Sequence, residues 1–293
     1  MLERIDHLVC VVPSLAEAAA AYDRLGMVLT PEVRYDSIGI ANQALFVGGS
    51  AADFMYLELI AVTDRERASA ANRSAYVEAA DRGGGAVGLA FGTSAIAAAA
   101  AQMDAHGCPA PVEEVHRGDG TKVLDTATVD TRGAVPFRVS LVQYPETWDA
   151  RFDRSRAQGR FAHAFPLKRL DHLAAVAPEI EAATRFWGEV LGVPVHGEIR
   201  TPAMVIRQLR VGDAILELLG PASPESPFAG RPAALASMAA WEVAGTLDDA
   251  VALARERGFT VSDPEAGVIP GTRRASIPAG ELGGVGMQLL EYV

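Results

Sequence analysis

The strongest constraint on this chain is a unit that recurs four times along it. Each copy opens with an apolar, strand-like run, passes into an alanine-rich amphipathic helix, halts at a glycine and finishes in further strands. The first copy begins Ile5-Asp6-His7-Leu8-Val9-Cys10-Val11-Val12, where Ser14 and Glu17 read as a capping box and Gly26 as the stop. The second begins Ala86-Val87-Gly88-Leu89-Ala90-Phe91, with a cap at Thr93 or Ser94 and a stop at Gly107. The third begins Leu170-Asp171-His172-Leu173-Ala174-Ala175-Val176, enters its helix after Pro178 and stops at Gly192. The fourth begins Met238-Ala239-Ala240-Trp241-Glu242-Val243, with Thr246 and Asp249 as its cap and Gly258 as its stop. Their closing runs are Phe54 to Ile60, Phe137 to Val142, Ala214 to Leu219, and Gly286 to Leu290. One helix to three or four strands, four times over, predicts an α+β fold of four βαβββ modules.

Glycine, proline and charge place the seams. Gly83-Gly84-Gly85 reads as a flexible joint between the first two copies, and Pro221 to Pro232 separates the last two. Between Asp149 and Arg169 lie Arg151, Arg154, Arg156, Arg160 and Lys168 with no clear periodicity, so a basic linker loop is expected there. The predicted domains are 1–148, with modules 1–82 and 83–148, and 168–293, with modules 168–221 and 233–293. Residues 149–167 form the linker. Lys and Arg number 26 against 37 Asp and Glu, a net charge of −11. That balance argues against nucleic acid or an anionic membrane surface as partner. No apolar run reaches the roughly 20 residues a membrane span needs, and the N-terminus lacks the layout of a signal peptide. Cys10 and Cys108 are too few for a disulfide framework. A cytoplasmic protein, monomer or homodimer, is expected.

With these modules in view, the chain resembles the vicinal oxygen chelate superfamily: glyoxalases, methylmalonyl-CoA epimerase, fosfomycin and bleomycin resistance proteins, and extradiol dioxygenases. The first half is similar to a glyoxalase-like domain through Ile5-Asp6-His7-Leu8-Val9, Gly39-Ile40-Ala41-Asn42 and Tyr56-Leu57-Glu58-Leu59-Ile60. The second is similar to methylmalonyl-CoA epimerase through Leu170-Asp171-His172, Val195-His196-Gly197-Glu198, Val211-Gly212-Asp213 and Leu216-Glu217-Leu218-Leu219. The resemblance implies two glyoxalase-like half-barrel domains in one chain and a small-molecule substrate or ligand.

Certain polar residues sit badly on apolar strands. Alternation puts His7 on the face of Ile5 and Val9, and His172 on that of Leu170 and Ala174. Glu58 lies between Leu57 and Leu59, and Glu217 between Leu216 and Leu218. A lone carboxylate buried there costs several kcal/mol, so each must be solvated, protonated, paired or bound to a cation. The resemblance implies the last: an opening-strand histidine and a closing-strand glutamate on the concave face, ligating one divalent ion (zinc, iron, manganese, nickel or cobalt). The metal ligands implied are His7, Glu58, His172 and Glu217. Here the chain departs from the pattern. The corresponding positions are Gly88 and Ser140 in the second module, and Met238 and Gln288 in the fourth. Modules pairing in chain order would leave half a site in each barrel; the first and third sharing a barrel would complete one set.

Glu198 resembles the glutamate that moves a proton in the epimerase, and is the implied catalytic base; the alternative is a solvated charge in a turn. Asn42 and Gln43 are candidates to hydrogen-bond a ligand or are plain half-exposed strand residues. The linker arginines read as receptors for a substrate carboxylate or phosphate, or as a solvated basic loop. His116 and His196 read either as residues that fill the gap in the ligand set or, more simply, as exposed residues of outer strands, and Cys10 reads as core. Two functions are carried forward. One is a divalent-metal-dependent lyase or isomerase acting α to a carbonyl of a small oxygenated metabolite, with an extradiol-type dioxygenase as a weaker enzyme version. The other is a metal-free protein that sequesters a ligand, as bleomycin-resistance relatives do, with Phe91, Met238 and Trp241 lining its pocket.

Overall fold

The computed structural model describes residues 2–116 and 120–293, which follow the four-module plan. The first module runs β1 (Arg4–Val11), α1 (Leu15–Leu25), β2 (Val33–Tyr35), β3 (Ile40–Val47) and β4 (Met55–Val62), followed by two short helices, α2 (Arg65–Ala70) and α3 (Ser74–Asp81). The second runs β5 (Gly85–Gly92), α4 (Ile96–Ala105), β6 (Val112–His116), β7 (Lys122–Thr128) and β8 (Arg138–Gln143). A helix, α5 (Trp148–Ala157), leads to the third: β9 (Leu167–Val176), α6 (Ile180–Arg185) with a π-helical turn over Phe186–Val190, β10 (Val195–Arg200), β11 (Met204–Val211) and β12 (Ala214–Pro221). The fourth runs β13 (Ala234–Val243), α7 (Leu247–Glu256), β14 (Glu265–Ala266), β15 (Thr272–Ile277) and β16 (Gly286–Tyr292).

The strands form two eight-stranded, curled half-barrel sheets. Their orders are β2-β3-β4-β1-β5-β8-β7-β6 and β10-β11-β12-β9-β13-β16-β15-β14. Modules therefore share sheets in chain order. The alternative in which the first and third modules complete one barrel is not formed. The chain also gathers into two compact units. One comprises Met1–Asp6, Gly88–Trp148 and His172–Ala236; the other comprises His7–Val87, Asp149–Asp171 and Ser237–Val293.

Local chemistry accounts for the helices. Ser14 accepts from the Glu17 N–H at 3.2 Å, and Gly26 ends α1 with φ +85°. Thr246 caps α7 in the same way, accepting from Asp249 N–H at 3.1 Å. The start of α4 differs from expectation: neither Thr93 nor Ser94 caps it by its side chain, and Gln143 Oε1 accepts from the Ile96 N–H at 2.8 Å instead. Each module helix buries its apolar stripe on its own strands, as Leu15, Ala18, Tyr22 and Leu25 do in α1. Leu8, Cys10, Leu57 and Leu59 are fully buried in the core as well. His7 and Glu58, one residue out of phase with them, face the inner side of the half-barrel.

Three expectations are corrected here. The segment beyond Asp149 is not an open loop, because α5 buries Arg151 and Phe152. Helices α2 and α3 follow the first module where no helix was foreseen; their Ala68, Tyr76 and Ala79 pack on Val9, Val11, Ile40 and Ile60. Phe91 and Trp241 do not face the inner surface, where they were expected to line a ligand pocket. Both are wholly buried on the faces opposite Gly88 and Met238, with Phe91 edge-on to Trp187 at 5.5 Å.

Candidate functional site

Strand register shows that the four modules present the same positions. His7 pairs with Tyr56, Gly88 with Arg138, His172 with Ile215 and Met238 with Gly286. Two residues further along each closing strand stand Glu58, Ser140, Glu217 and Gln288. Opposite these, on the antiparallel neighbour, are Ala44, Thr128, Gln208 and Ser276. Partners in register share a face, so each quartet is a single inner-surface patch.

In the first module, His7 Nε2 lies 3.7 Å from Glu58 Oε2, and Asn42 Nδ2 donates to Glu58 Oε1 at 2.6 Å. Asn42 is thus committed to the glutamate, while Gln43 turns to the other face and donates to the Thr30 carbonyl at 3.0 Å. His7 stacks on Tyr56 with ring centroids 4.5 Å apart, and Tyr56 stacks on Phe46 at 5.0 Å. Phe161 closes edge-on against Phe46 at 5.9 Å. The Arg151 guanidinium stands 5.9 Å from the Tyr56 ring and 6.0 Å from Phe46, and that of Arg160 is 4.8 Å from Phe46. The His–Glu pair therefore lies between an apolar end closed by α2 and α3 and an aromatic ladder braced by the former linker.

His163 fastens that brace. Its Nδ1 accepts from the Val28 N–H at 3.0 Å, so Nε2 carries the proton and donates to the Phe46 carbonyl at 2.6 Å. Burial pushes the imidazole pKa below its ordinary value, which favours this neutral form.

The third module repeats the pair without the ladder. His172 Nε2 is 3.9 Å from Glu217 Oε2, and Gln208 Nε2 donates to Glu217 Oε1 at 3.0 Å. Glu217 is only 7 % exposed, so its carboxylate is withdrawn from bulk water on an inner strand face.

Glu198 is not part of this patch. Gly197 pairs with Gln208 and faces inward, whereas Glu198 pairs with Arg207 on the opposite face. There Arg207 Nε donates to Glu198 at 3.0 Å and Arg200 reaches it at 2.7 Å, while Arg207 also grips Glu181 and Thr184 of α6. The Arg207 hydrogen bond, aided by Arg200, holds the Glu198 carboxyl below the usual carboxylate range. A carboxylate on the opposite face, held by two guanidinium groups, is a poor proton acceptor, so this geometry does not support the catalytic-base role that the resemblance implies for Glu198. His116 and His196 are exposed, with His116 Nε2 3.4 Å from Glu114. Cys10 is wholly buried on the face away from His7, and burial raises its thiol pKa strongly.

The donor set decides whether a divalent ion fits. Strong sites for such ions supply at least three imidazole, thiolate or carboxylate ligands. No group of three or more His, Cys, Asp or Glu converges among the described residues. Beside each His–Glu pair stands a side-chain amide, and that amide donates its N–H to the carboxylate. The residues present do not fit a conventional divalent centre.

An apolar cavity of about 180 Å³ lies elsewhere, lined by Val135, Phe137, Ala177, Ala183 and Leu218 among others, with Glu179 as its charged residue. Leu218 is one residue out of phase with Glu217, so this cavity is on the helix side of the sheet.

Residues 5–162, more than half of the chain, match the family described as Glyoxalase-like domain. The chain belongs to that family. Residues 171–275 match the Glyoxalase/Bleomycin resistance protein/Dioxygenase superfamily, so both halves of this glyoxalase-like protein fall within the vicinal oxygen chelate superfamily. The mitochondrial methylmalonyl-CoA epimerase of Mus musculus is 32% identical over 81 residues, covering 26% of the chain and 46% of the epimerase. The chain thus matches about half the length of that curated relative. A variant of 4-hydroxymandelate synthase from Streptomyces coelicolor superposes with a TM-score of 0.69 at 17% identity, covering 100% of this chain and 93% of its own. A hypothetical protein from Staphylococcus aureus does so with a TM-score of 0.65 at 11% identity, covering 99% of both. At these identities the two structures speak for the fold alone. Among the described residues, no helix is long and apolar enough to cross a membrane.

Proposed function

We propose that this glyoxalase-like protein binds a small oxygenated metabolite against its inner sheet faces and moves a proton α to a carbonyl, as a lyase or isomerase. The observation that carries the reading is the repeated His–Glu pair, His7 with Glu58 and His172 with Glu217, each on an inner face and each steadied by an amide. An imidazole beside a carboxylate supplies a proton acceptor and a proton donor within reach of one substrate atom. Tyr56 and Phe46 would hold the ligand's apolar surface next to His7. Members of this superfamily commonly bind a divalent ion. With one imidazole and one carboxylate per pair, no step is assigned to such an ion here.

The test is solvent-deuterium exchange. The protein, with and without chelator, is incubated in deuterium oxide with a panel of α-hydroxyketones, 2-oxo acids and 2-methyl acyl thioesters, and substrate C–H signals are followed by NMR. Catalysed exchange that survives chelator and is lost in His7→Gln or His172→Gln supports the reading. No exchange on any member of the panel removes it.

A second reading rests on the same shortage of ligands. Gly88, Ser140, Met238 and Gln288 occupy positions where a metal site would need donors, which favours a metal-free sequestering protein. Thermal stabilisation by aromatic ligands, unaffected by chelator and without exchange, would select it.

A further inference from the structure

The cavity on the helix side of the third module is shaped by small residues. One wall is the parallel pair β9–β12, where Ala175 stands beside Leu218 in register. Ala183 of α6 adds to the lining, as do Val135 and Phe137 from the loop between β7 and β8. That loop is tied to itself: the Ala134 N–H donates to the Thr131 carbonyl at 2.9 Å, and Thr131 Oγ1 donates to the Val135 carbonyl at 3.2 Å. These five apolar lining residues are buried, whereas Pro136, Glu179 and Ala233 are exposed and mark the mouth. The volume, about 180 Å³, is close to the roughly 150 Å³ of a dry apolar cavity that takes benzene, so one six-membered ring fits. Polar chemistry is confined to one group. Among the described residues of the lining, Glu179 alone has a polar side chain. It stands just before α6, yet its carboxylate caps no N–H there, and no ion pair engages it among the described residues. Donors for an anion are spent or missing: the Ala134, Ala177 and Ala183 N–H groups are bonded to backbone carbonyls, and Pro136 and Pro178 have none.

We propose that this cavity is a second ligand site, separate from the inner sheet faces, for a small primary amine. Its aromatic ring or branched alkyl group enters the cavity, and its ammonium group stays at the mouth beside Glu179. Water in such a lining finds few partners, so an apolar group displaces it at little cost. The exposed carboxylate then adds a preference for positive charge, modest in size as exposed ion pairs are. The net charge of −11 acts in the same sense. Size is therefore selected by the alanines and charge by Glu179. The site does not depend on the proton transfer proposed above, and either can fail without the other.

The experiment is a fluorine NMR titration of the full-length protein at low salt, with para-fluorobenzylamine, para-fluorobenzyl alcohol and para-fluorophenylacetate as probes. The amine is expected to bind at millimolar concentration or better, about two- to fivefold more tightly than the alcohol, with the acetate weakest. Added salt narrows the gap between amine and alcohol. Glu179→Gln abolishes that gap and leaves the affinity for the alcohol unchanged. Ala183→Leu fills the cavity and weakens amine and alcohol alike by about tenfold or more. If Ala183→Leu fails to fold, as judged by circular dichroism, Ala233→Phe at the exposed mouth obstructs entry instead and is expected to cause the same loss. Four results each overturn the proposal: no saturable binding of the amine at millimolar concentration, equal affinity of the parent for amine and alcohol, an amine preference that survives in Glu179→Gln, or unchanged affinity in a folded filled or obstructed variant. The last would place the ring elsewhere, as against the Tyr56–Phe46 ladder.

Discussion

Glu217 tests whether the inner carboxylates serve the fold or the ligand. The carboxylate is 7 % exposed and accepts from Gln208 Nε2 at 3.0 Å, with His172 Nε2 at 3.9 Å from its other oxygen. A hydrogen bond to a charged group contributes about 1.5–3 kcal/mol, and stranding a buried charge forfeits it. Gln208→Leu alone should therefore lower stability by roughly 1.5–3 kcal/mol, or about 2–4 °C in Tm per kcal/mol for a domain of 150–250 residues. Replacing both members, Glu217→Leu with Gln208→Leu, is a different matter. Apolar pairs of similar volume are commonly neutral, or about 1–4 kcal/mol stabilising, relative to the buried polar groups they replace. If the carboxylate is kept for a ligand, the double variant has a Tm at or above that of the parent and loses deuterium exchange at that face. Scanning calorimetry and urea denaturation of the parent, the single variant and the double variant read this directly. A double variant as unstable as Gln208→Leu would mean that Glu217 is a structural element, and the reasoning from buried carboxylate to function would fail.

Other perturbations follow from the same geometry. His163 is held neutral in the folded state with its pKa lowered from 6.5, so the unfolded chain binds more protons as pH falls through that range. Its contribution is complete above about pH 6.5 and is lost below it; urea midpoints between pH 5 and 8 should fall on acidification, and His163→Gln should flatten the slope, whereas equal slopes would refute the clamp. Glu198→Gln should leave deuterium exchange within about twofold of the parent, because the residue faces α6; a tenfold loss would return Glu198 to the site. Gly39→Ala should destabilise, since φ is +64° and the new Cβ would lie 2.3 Å from the Asp64 carbonyl oxygen. The left-handed conformation alone costs about 1–2 kcal/mol, and an unchanged Tm would show that this turn can shift.

The repeat and its α+β character could be read from the chain alone, whereas an inward direction for His7, Glu58, His172 and Glu217 was only what the family resemblance implied. Alternation along a strand and helix caps are local properties, and Ser14 and Thr246 act as their local sequence implies. The pairing of each histidine with its glutamate was also within reach, because the same two positions recur in step. Three things were settled only in three dimensions. Whether modules share sheets in chain order depends on which strand edges meet, and nothing local encodes that choice. Which way Glu198 points depends on the β10–β11 register, which shifts between Val195 and Gly197; a slip of one residue exchanges the two faces of a strand. The surroundings of His7 depend on α2, α3 and α5, whose weak amphipathic signals gain meaning only when distant strands give them a surface to cover. Arg151 and Phe161 look like residues of a solvated linker until Phe46 and Tyr56, about a hundred positions earlier, are placed beneath them.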